Sequence, residues 1–410
     1  MAVDAKARSG GKLKKWYGGL DYGLLLAVAG LLIIGLMAVY SATFDWSYQE
    51  HQNSFREASR QFLWVTLGLV VMAVAARIPY DFWKRLAVPI MVLTLVLLIL
   101  VLIIGKEVNG AKRTLFGGSV QPSEVAKLGL VVYLATWLAS KGEQIRDVTY
   151  GLIPFAVLIG VVAGLIVIEP DVSTAVLIAL TALAMFFFAG ADIFQLVIGG
   201  TVSGLTFYLL VNQFAHAKER LDDWLMAREN PELLGYHARQ TRIALGSGGL
   251  FGVGLGRGEQ KLGWLPAQHT DSIFAMLGEE LGFVGCMLIL SLFVLLAYRG
   301  FKIALKARDA FAALLACGIT CFLTFQAAIN IGVMTGLIPF TGMPLPFISA
   351  GGSGVIVALA AVGVLMSISQ GNRLERRPKS GGFQRATLDR RWGNRGTRLS
   401  RSRRRTSSRR

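Results

Sequence analysis

The sequence predicts an all-α polytopic membrane protein of about ten transmembrane helices, with a large extracytoplasmic loop between the seventh and eighth. Composition is the first reason: 54% of the 410 residues are apolar and 16% are charged, and the mean hydropathy is +0.54, far from the usage of soluble domains. Spacing is the second, because a bilayer core takes about 20 apolar residues per helix and runs near that length recur along the chain. The third is where the charge lies. The net charge of +17 sits entirely at the two ends: residues 1–20 carry five Lys/Arg against one Asp, and residues 371–410 carry fifteen against two acids.

The apolar runs fall at 21–43, 61–77, 85–105, 125–139, 152–168, 172–190, 193–213, 272–298, 311–337 and 350–369. The first is 23 residues long, too long for a typical signal-peptide core, and is expected to remain as a span. Basic flanks belong on the cytoplasmic side, and an even number of spans returns both termini there. The predicted organisation is therefore a basic cytoplasmic segment (1–20), a transmembrane domain (21–370) and a disordered basic cytoplasmic tail (371–410). The Arg/Ser-rich tail has almost nothing to bury. It reads as a topology signal attracted to anionic headgroups, ahead of a cytosolic protein partner and well ahead of RNA. Cys286, Cys317 and Cys321 all lie inside apolar runs and read as small buried hydrophobes, with no disulfide or metal set.

The outer segments hold the unusual residues. In "VNGAKRTLFGGSVQPSEVAK" (108–127), Gly-rich turns lead to Pro122, with Glu124 in the first helical turn and Lys127 three residues on. Ions at a membrane boundary are costly unless paired or facing a polar cavity, so structural pairing and contact with a ligand stay equally open. In "IEPDVSTA" (168–175), Asp171 is placed to cap a helix close to headgroup level. The long segment 214–271 begins with a stretch, "FAHAKERLDDWLMAREN", that suggests an amphipathic interfacial helix. Its second part, "ALGSGGLFGVGLGRGEQKLGWLP", is too Gly-rich for a stable helix and reads as a shaped loop; its GxGxxG-like string lacks the strand and helix of a nucleotide fold. That loop delivers Asp271, after Thr270, to the start of the eighth run. From residue chemistry alone, Asp271 is equally a helix-start acid or a catalytic carboxylate. Glu279 and Glu280, two turns deeper, read as structural polar contacts. "GLIPFTGMPLPFISAGGSG" (336–354) carries three prolines and few charges, and non-helical backbone at such depth must be buried or line a cavity. An outward-opening groove follows.

In order over about 340 residues, "VYSAT" (39–43), "NGAKR" (109–113), "QPSEVAK" (121–127), "EPDVST" (169–174), "GSGGLFGVGLG" (246–256), "LPAQHTDSIFAMLGEELGFVG" (265–285) and "NIGVMTGLIPFTGMPLPFISAGGSG" (330–354) resemble the SEDS family (shape, elongation, division and sporulation). The resemblance implies ten transmembrane helices in the bacterial cytoplasmic membrane. It implies polymerisation of lipid II into peptidoglycan glycan, with undecaprenyl pyrophosphate as leaving group, beside a class B penicillin-binding protein. It places the family's catalytic aspartate on Asp271. Lys112, Arg113, Glu124, Lys127, Asp171, Arg239, Gln240, Arg242, Lys261, His269, Thr270 and Ser349 are the expected substrate contacts. A divalent cation (Mg²⁺ or Mn²⁺), with Asp271 and Asp171 as ligands, suits an anionic substrate, and no organic cofactor or nucleic acid is expected. Departures from the family pattern fall at Thr114, Ala267, Ser272, the "PDVST" string and "SAGGSG", while His269, Thr270 and Asp271 are retained. "VYSAT", "VVYLATWLASK" (131–141) and the long basic tail favour the division branch, with other divisome proteins as partners, over the elongation branch. Two rival classes share these features: a lipid II flippase, disfavoured because the ionisable residues cluster on one side, and a non-catalytic scaffold for the transpeptidase.

Overall fold

A computed structural model of the chain describes residues 20–108, 111–115, 120–213, 215–229 and 235–374. The basic segment 1–19 and the tail from 375 lie outside these, as do Asn109 and Gly110.

Every predicted apolar run is helical: α1 (Tyr22–His51), α2 (Arg56–Arg77), α3 (Tyr80–Ile104), α4 (Pro122–Lys141), α5 (Ile153–Ile168), α6 (Val172–Phe188) and α7 (Ile193–Gln213) precede the long loop. After it come α10 (Ile273–Leu305), α11 (Ala310–Met334) and α12 (Gly352–Leu374). Seven of these are long and apolar enough to cross a membrane by length and composition: α1, α2, α3, α10, α11, α12, and α5 together with the π-turn before it. The apolar parts of α6 and α7 are shorter, at Val172–Phe188 and Ile193–Leu209. The remaining helix, α4, carries Glu124 and Lys127 in its first two turns.

Local chemistry sets the ends. Pro122 opens α4, where a missing N–H costs nothing. Asp21, Asp171 and Asp309 cap α1, α6 and α11 by accepting amide hydrogen bonds from Leu24, Thr174 and Ala312.

Burial grades from the centre outward. In α11 and α12, 72% of the apolar window is buried, against 22% in α2 and 28% in α3. The outer helices instead present Phe62, Val88, Val157 and Val294 to their surroundings. A helix that is apolar on its exposed face as well as its packed one is built for lipid.

Three features depart from the sequence reading. Residues Lys106–Val108 (β1) and Ala111–Thr114 (β2) form an antiparallel hairpin, pairing Glu107 with Lys112, where Gly-rich turns alone were expected. In the long loop, the amphipathic helix is present as α8 (Ala215–Glu229), but a second helix, α9 (Tyr236–Ser247), occupies the start of the stretch read as purely irregular. Within α10 the backbone breaks at Gly282 (φ 67°, ψ −167°). The break is satisfied by the Gly-rich loop, which folds back onto it: Val253 and Gly254 donate amides to the carbonyls of Glu279 and Glu280, while Phe283 and Val284 donate to those of Gly249 and Leu250. Protein therefore replaces the helical partners that lipid cannot supply.

Candidate active site

At one end of the bundle, the β-hairpin, the α5–α6 turn, the α11–α12 loop and the start of α10 surround a cavity of about 420 Å³. Charged residues from four separate elements line it: Arg113, Glu124, Asp171 and Asp271. Thr270 and Ser349 also line it.

Asp271 stands just before α10. Its backbone is clamped by Asn330 of α11, whose amide donates to the Asp271 carbonyl (2.8 Å) and to that of Met343 (2.6 Å). Ser349 Oγ donates to the Thr270 carbonyl at 2.6 Å and accepts the Leu345 amide at 2.7 Å. The Ala350 amide donates to the His269 carbonyl at 2.8 Å. The His-Thr-Asp string and the Pro-rich loop are thereby one unit. Gly342 (φ +65°) completes the pocket wall, since a side chain there would begin 3.3 Å from Asp271 Oδ2. Burial pushes the Asp271 carboxyl up to about 6; Arg220 on α8 opposes the rise and Asp171 adds to it. The carboxyl lies deep yet borders the open cavity, so it titrates near neutrality.

Asp171 does two jobs. Its Oδ1 caps α6 through the Thr174 amide, while Oδ2 accepts from Gln121 Nε2 (3.3 Å) and Ser123 Oγ (3.2 Å) of the α4 start. Arg113 reaches across from the hairpin to the same turn, donating from Nε to the Glu169 carbonyl (3.2 Å) and from its terminal nitrogen to the Pro170 carbonyl. Glu169 is fully buried, and neither carboxyl oxygen has a hydrogen-bond partner. Burial and the Asp171 charge push it up to about 8 against the pull of Arg113, so the carboxyl is neutral at pH 7.

The Glu124–Lys127 pair is both structural and at the cavity. Lys127 Nζ lies 2.7 Å from Glu124 Oε1 and donates to Gln326 Oε1 of α11 at 2.8 Å; Glu124 then faces the cavity. Gln326 in turn donates to the Pro344 carbonyl at 2.9 Å, tying α4 to the Pro-rich loop.

The other expected contacts distribute differently. Lys261 forms a buried pair with Glu280 at 3.0 Å and donates to Ser41 Oγ, so it anchors the Gly-rich loop to α1 and α10 and does not face the cavity. Glu279 accepts the amides of Glu259 and Gln260 and serves the same anchoring. His269 stacks on Trp46 (5.7 Å between centroids, 10° between planes) outside the cavity wall. Burial lowers its affinity for a proton. Arg239 and Gln240, on α9, are absent from the wall, and Arg242 lines a neighbouring compartment. Lys112 lies on β2 with its side chain outside the described residues. Asn330, Gln326 and Arg220 were missed by sequence reading; their only signal was an amide inside an apolar run or one base among many on an amphipathic helix.

Among the described residues no three His, Cys, Asp or Glu side chains gather into a metal-binding set. Asp171 and Asp271 do share one cavity with Arg113. The Asp171 oxygens are already engaged by Thr174, Gln121 and Ser123.

An apolar helix bundle that closes over a cavity lined by three acids and an arginine at one end defines a multi-pass membrane protein with a polar cavity. The chain belongs to the FtsW/RodA/SpoVE family, described as "Cell cycle protein", which matches residues 22–374. It is 38% identical over 358 residues to the probable peptidoglycan glycosyltransferase FtsW of Trichlorobacter lovleyi, covering 86% of this chain and 94% of that protein. It is 40% identical over 356 residues to the stage V sporulation protein E of Bacillus subtilis, covering 85% and 97%. Among solved structures, a chain from "Structural coordination of polymerization and crosslinking by a peptidoglycan synthase complex" superposes with a TM-score of 0.71 at 28% identity, over 86% of this chain and 98% of that one.

Proposed function

We propose that this protein is a peptidoglycan glycosyltransferase of the FtsW type, polymerising lipid II at the outer face of the bacterial cytoplasmic membrane during division. The observation that carries the reading is Asp271 itself: a carboxyl held by its backbone to α11, raised to about 6 and lining a cavity shared with Arg113. Glycan transfer requires a sugar hydroxyl to attack an anomeric carbon while pyrophosphate leaves. Asp271 takes the hydroxyl proton, a contribution of about 10²–10⁴ in rate. Direct displacement of this kind inverts the anomeric centre, as two-sided carboxylate chemistry does in glycosidases.

Pyrophosphate departs without protonation but needs its growing charge neutralised. Arg113, held in place by the α5–α6 turn, is the positive group at the cavity wall among the described residues. On the Asp171 side of the cavity a divalent ion would be held and would supply further charge neutralisation, leaving Asp271 free to take the proton. Glu124, locked to Lys127, orders the α4 side of the pocket.

The placement has both termini cytoplasmic and the cavity extracytoplasmic. The partner is a class B penicillin-binding protein that cross-links the nascent strand, a proposal supported by the synthase-complex likeness, with other divisome proteins around it. Purified protein with its transpeptidase is expected to convert lipid II into glycan, and Asp271→Ala to abolish conversion while leaving folding and partner binding intact. A chelator arm tests the metal. Retained polymerisation by the variant would remove the base assignment.

A further inference from the structure

A second compartment, of about 240 Å³, lies beside the Asp271 cavity between α8, α9 and the end of α11. Trp224, Arg220, Asp223, Arg242 and Phe340 are among its walls. Phe340 lines this compartment on the side of the α11–α12 loop. Its ring centroid lies 3.9 Å from that of His237 and 5.1 Å beneath the Arg220 guanidinium carbon. One edge of the same ring comes within 3.9 Å of the point where a side chain at Gly342 would begin, a point that is 3.3 Å from Asp271 Oδ2. The near edge of the ring therefore stands close to the Asp271 carboxylate, on the Gly342 side.

The walls are held in place. The Trp224 indole N–H donates to the Gly336 carbonyl at 3.0 Å. The His237 Nε2 lies 2.8 Å from Ser272 Oγ, the residue after Asp271, and Ser272 Oγ donates to the Pro266 carbonyl at 2.8 Å. Burial and the Arg220 charge lower His237 to about 4, so the ring is neutral at pH 7 and acts as a hydrogen-bonded strut. The compartment falls just under the ~300–1,000 Å³ of pockets for drug-sized ligands and so takes a single sugar ring. The Trp224 indole is the aromatic surface for the C–H face of a pyranose, while guanidinium and carboxylate groups bind its hydroxyls.

A transfer between two sugars needs two subsites, one on each side of the base. The larger cavity, with Arg113, suits the pyrophosphate-bearing donor. Resting on the glycan-polymerase reading, we propose that the α8–α9–α11 compartment is the acceptor subsite, binding the terminal hexosamine ring and directing its hydroxyl past Phe340 to Asp271. In the step that follows, the hydroxyl oxygen bonds to the donor's anomeric carbon and its proton passes to Asp271. The anomeric C–O bond to pyrophosphate breaks, with the electron pair leaving on pyrophosphate.

The test uses the full-length protein with its transpeptidase in micelles. Two variants address the compartment without touching the larger cavity: Ala238→Trp, which fills it, and Trp224→Ala, which removes its aromatic wall. Both are expected to raise the lipid II concentration at half-maximal rate by on the order of tenfold, the scale of losing a buried aromatic contact, with a smaller change in kcat. A short N-acetylglucosamine oligosaccharide should quench tryptophan fluorescence of Asp271→Asn, and the quench should be lost when Trp224→Phe is added. Should Ala238→Trp fail to fold, Arg242→Gln decides in its place by the same half-saturation shift. Wild-type polymerisation matched by folded variants overturns the acceptor assignment alone. Absence of any glycan from the wild type overturns the polymerase reading, and the subsite falls with it.

Discussion

Two carboxyls at the same end of the bundle have raised affinities for protons, with opposite consequences. Asp271, at about 6, has to be ionised to accept a proton. Polymerisation is therefore expected to climb as pH rises through about 6 and to level off above it, and Asp271→Asn to lower the plateau by about 10²–10⁴. A profile flat from acid to neutral pH would contradict the base assignment. Glu169, at about 8, touches nothing with its oxygens and sits beside Asp171. Its proton is held more tightly in the folded than in the unfolded chain, where the carboxyl titrates near 4.5. Between those values the folded state binds more protons, so the Glu169 contribution to stability is present at low pH and declines as pH rises through about 8. Glu169→Gln keeps the shape and removes the titration. The variant is expected to melt with the wild type at pH 4.5 and above it at pH 8.5, a comparison that thermal unfolding in micelles makes directly.

At the scale of elements, α10 is where sequence pattern and structure diverge most. Its residues read as one unbroken apolar run, because Gly282 sits among Leu281, Phe283 and Val284 and nothing in hydropathy marks a break. The turn exists because two glycine backbones meet: a side chain at Gly282 would begin 2.2 Å from the Gly252 nitrogen, and one at Gly252 would begin 2.1 Å from the Glu280 carbonyl oxygen. Gly282→Ala is expected to destabilise by roughly 1–3 kcal/mol through backbone strain alone, with further loss from the clash, read as a lower melting temperature in micelles. The apolar runs were legible because burial in lipid is a matter of composition and length. The cavity's acids were legible because a charge at a membrane boundary needs a reason. Asn330 and Gln326 were not, since an amide in an apolar helix shows its purpose only when the carbonyls of Asp271, Met343 and Pro344 are brought to it by a loop closing over α11. Lys261 misled for the converse reason: a base in an outer loop looks available for an anion until its partner, Glu280 on α10, is known.

At the scale of the whole molecule, the proposed chemistry depends on which compartment the cavity faces, and that depends on charge. Both termini carry the basic excess, the region between them is net neutral, and positive flanks are retained on the cytoplasmic side. On the proposed orientation the cavity end, reached by the end of α1, the start of α4 and the start of α10, is extracytoplasmic. That is the side on which the proposed reaction requires the cavity. Native cysteines give little background for mapping this, because Cys286, Cys317 and Cys321 are all buried. Leu262, 59% exposed in the loop before Asp271, and Leu305, 88% exposed at the far end of α10, mark the two sides. In intact cells stripped of outer barriers, Leu262→Cys is expected to react with a membrane-impermeant maleimide and Leu305→Cys to react only after permeabilisation. The reverse pattern would put Asp271 in the cytosol, where a proton acceptor for glycan growth has no strand to extend, and would leave inward-facing lipid handling as the better account of the same cavity.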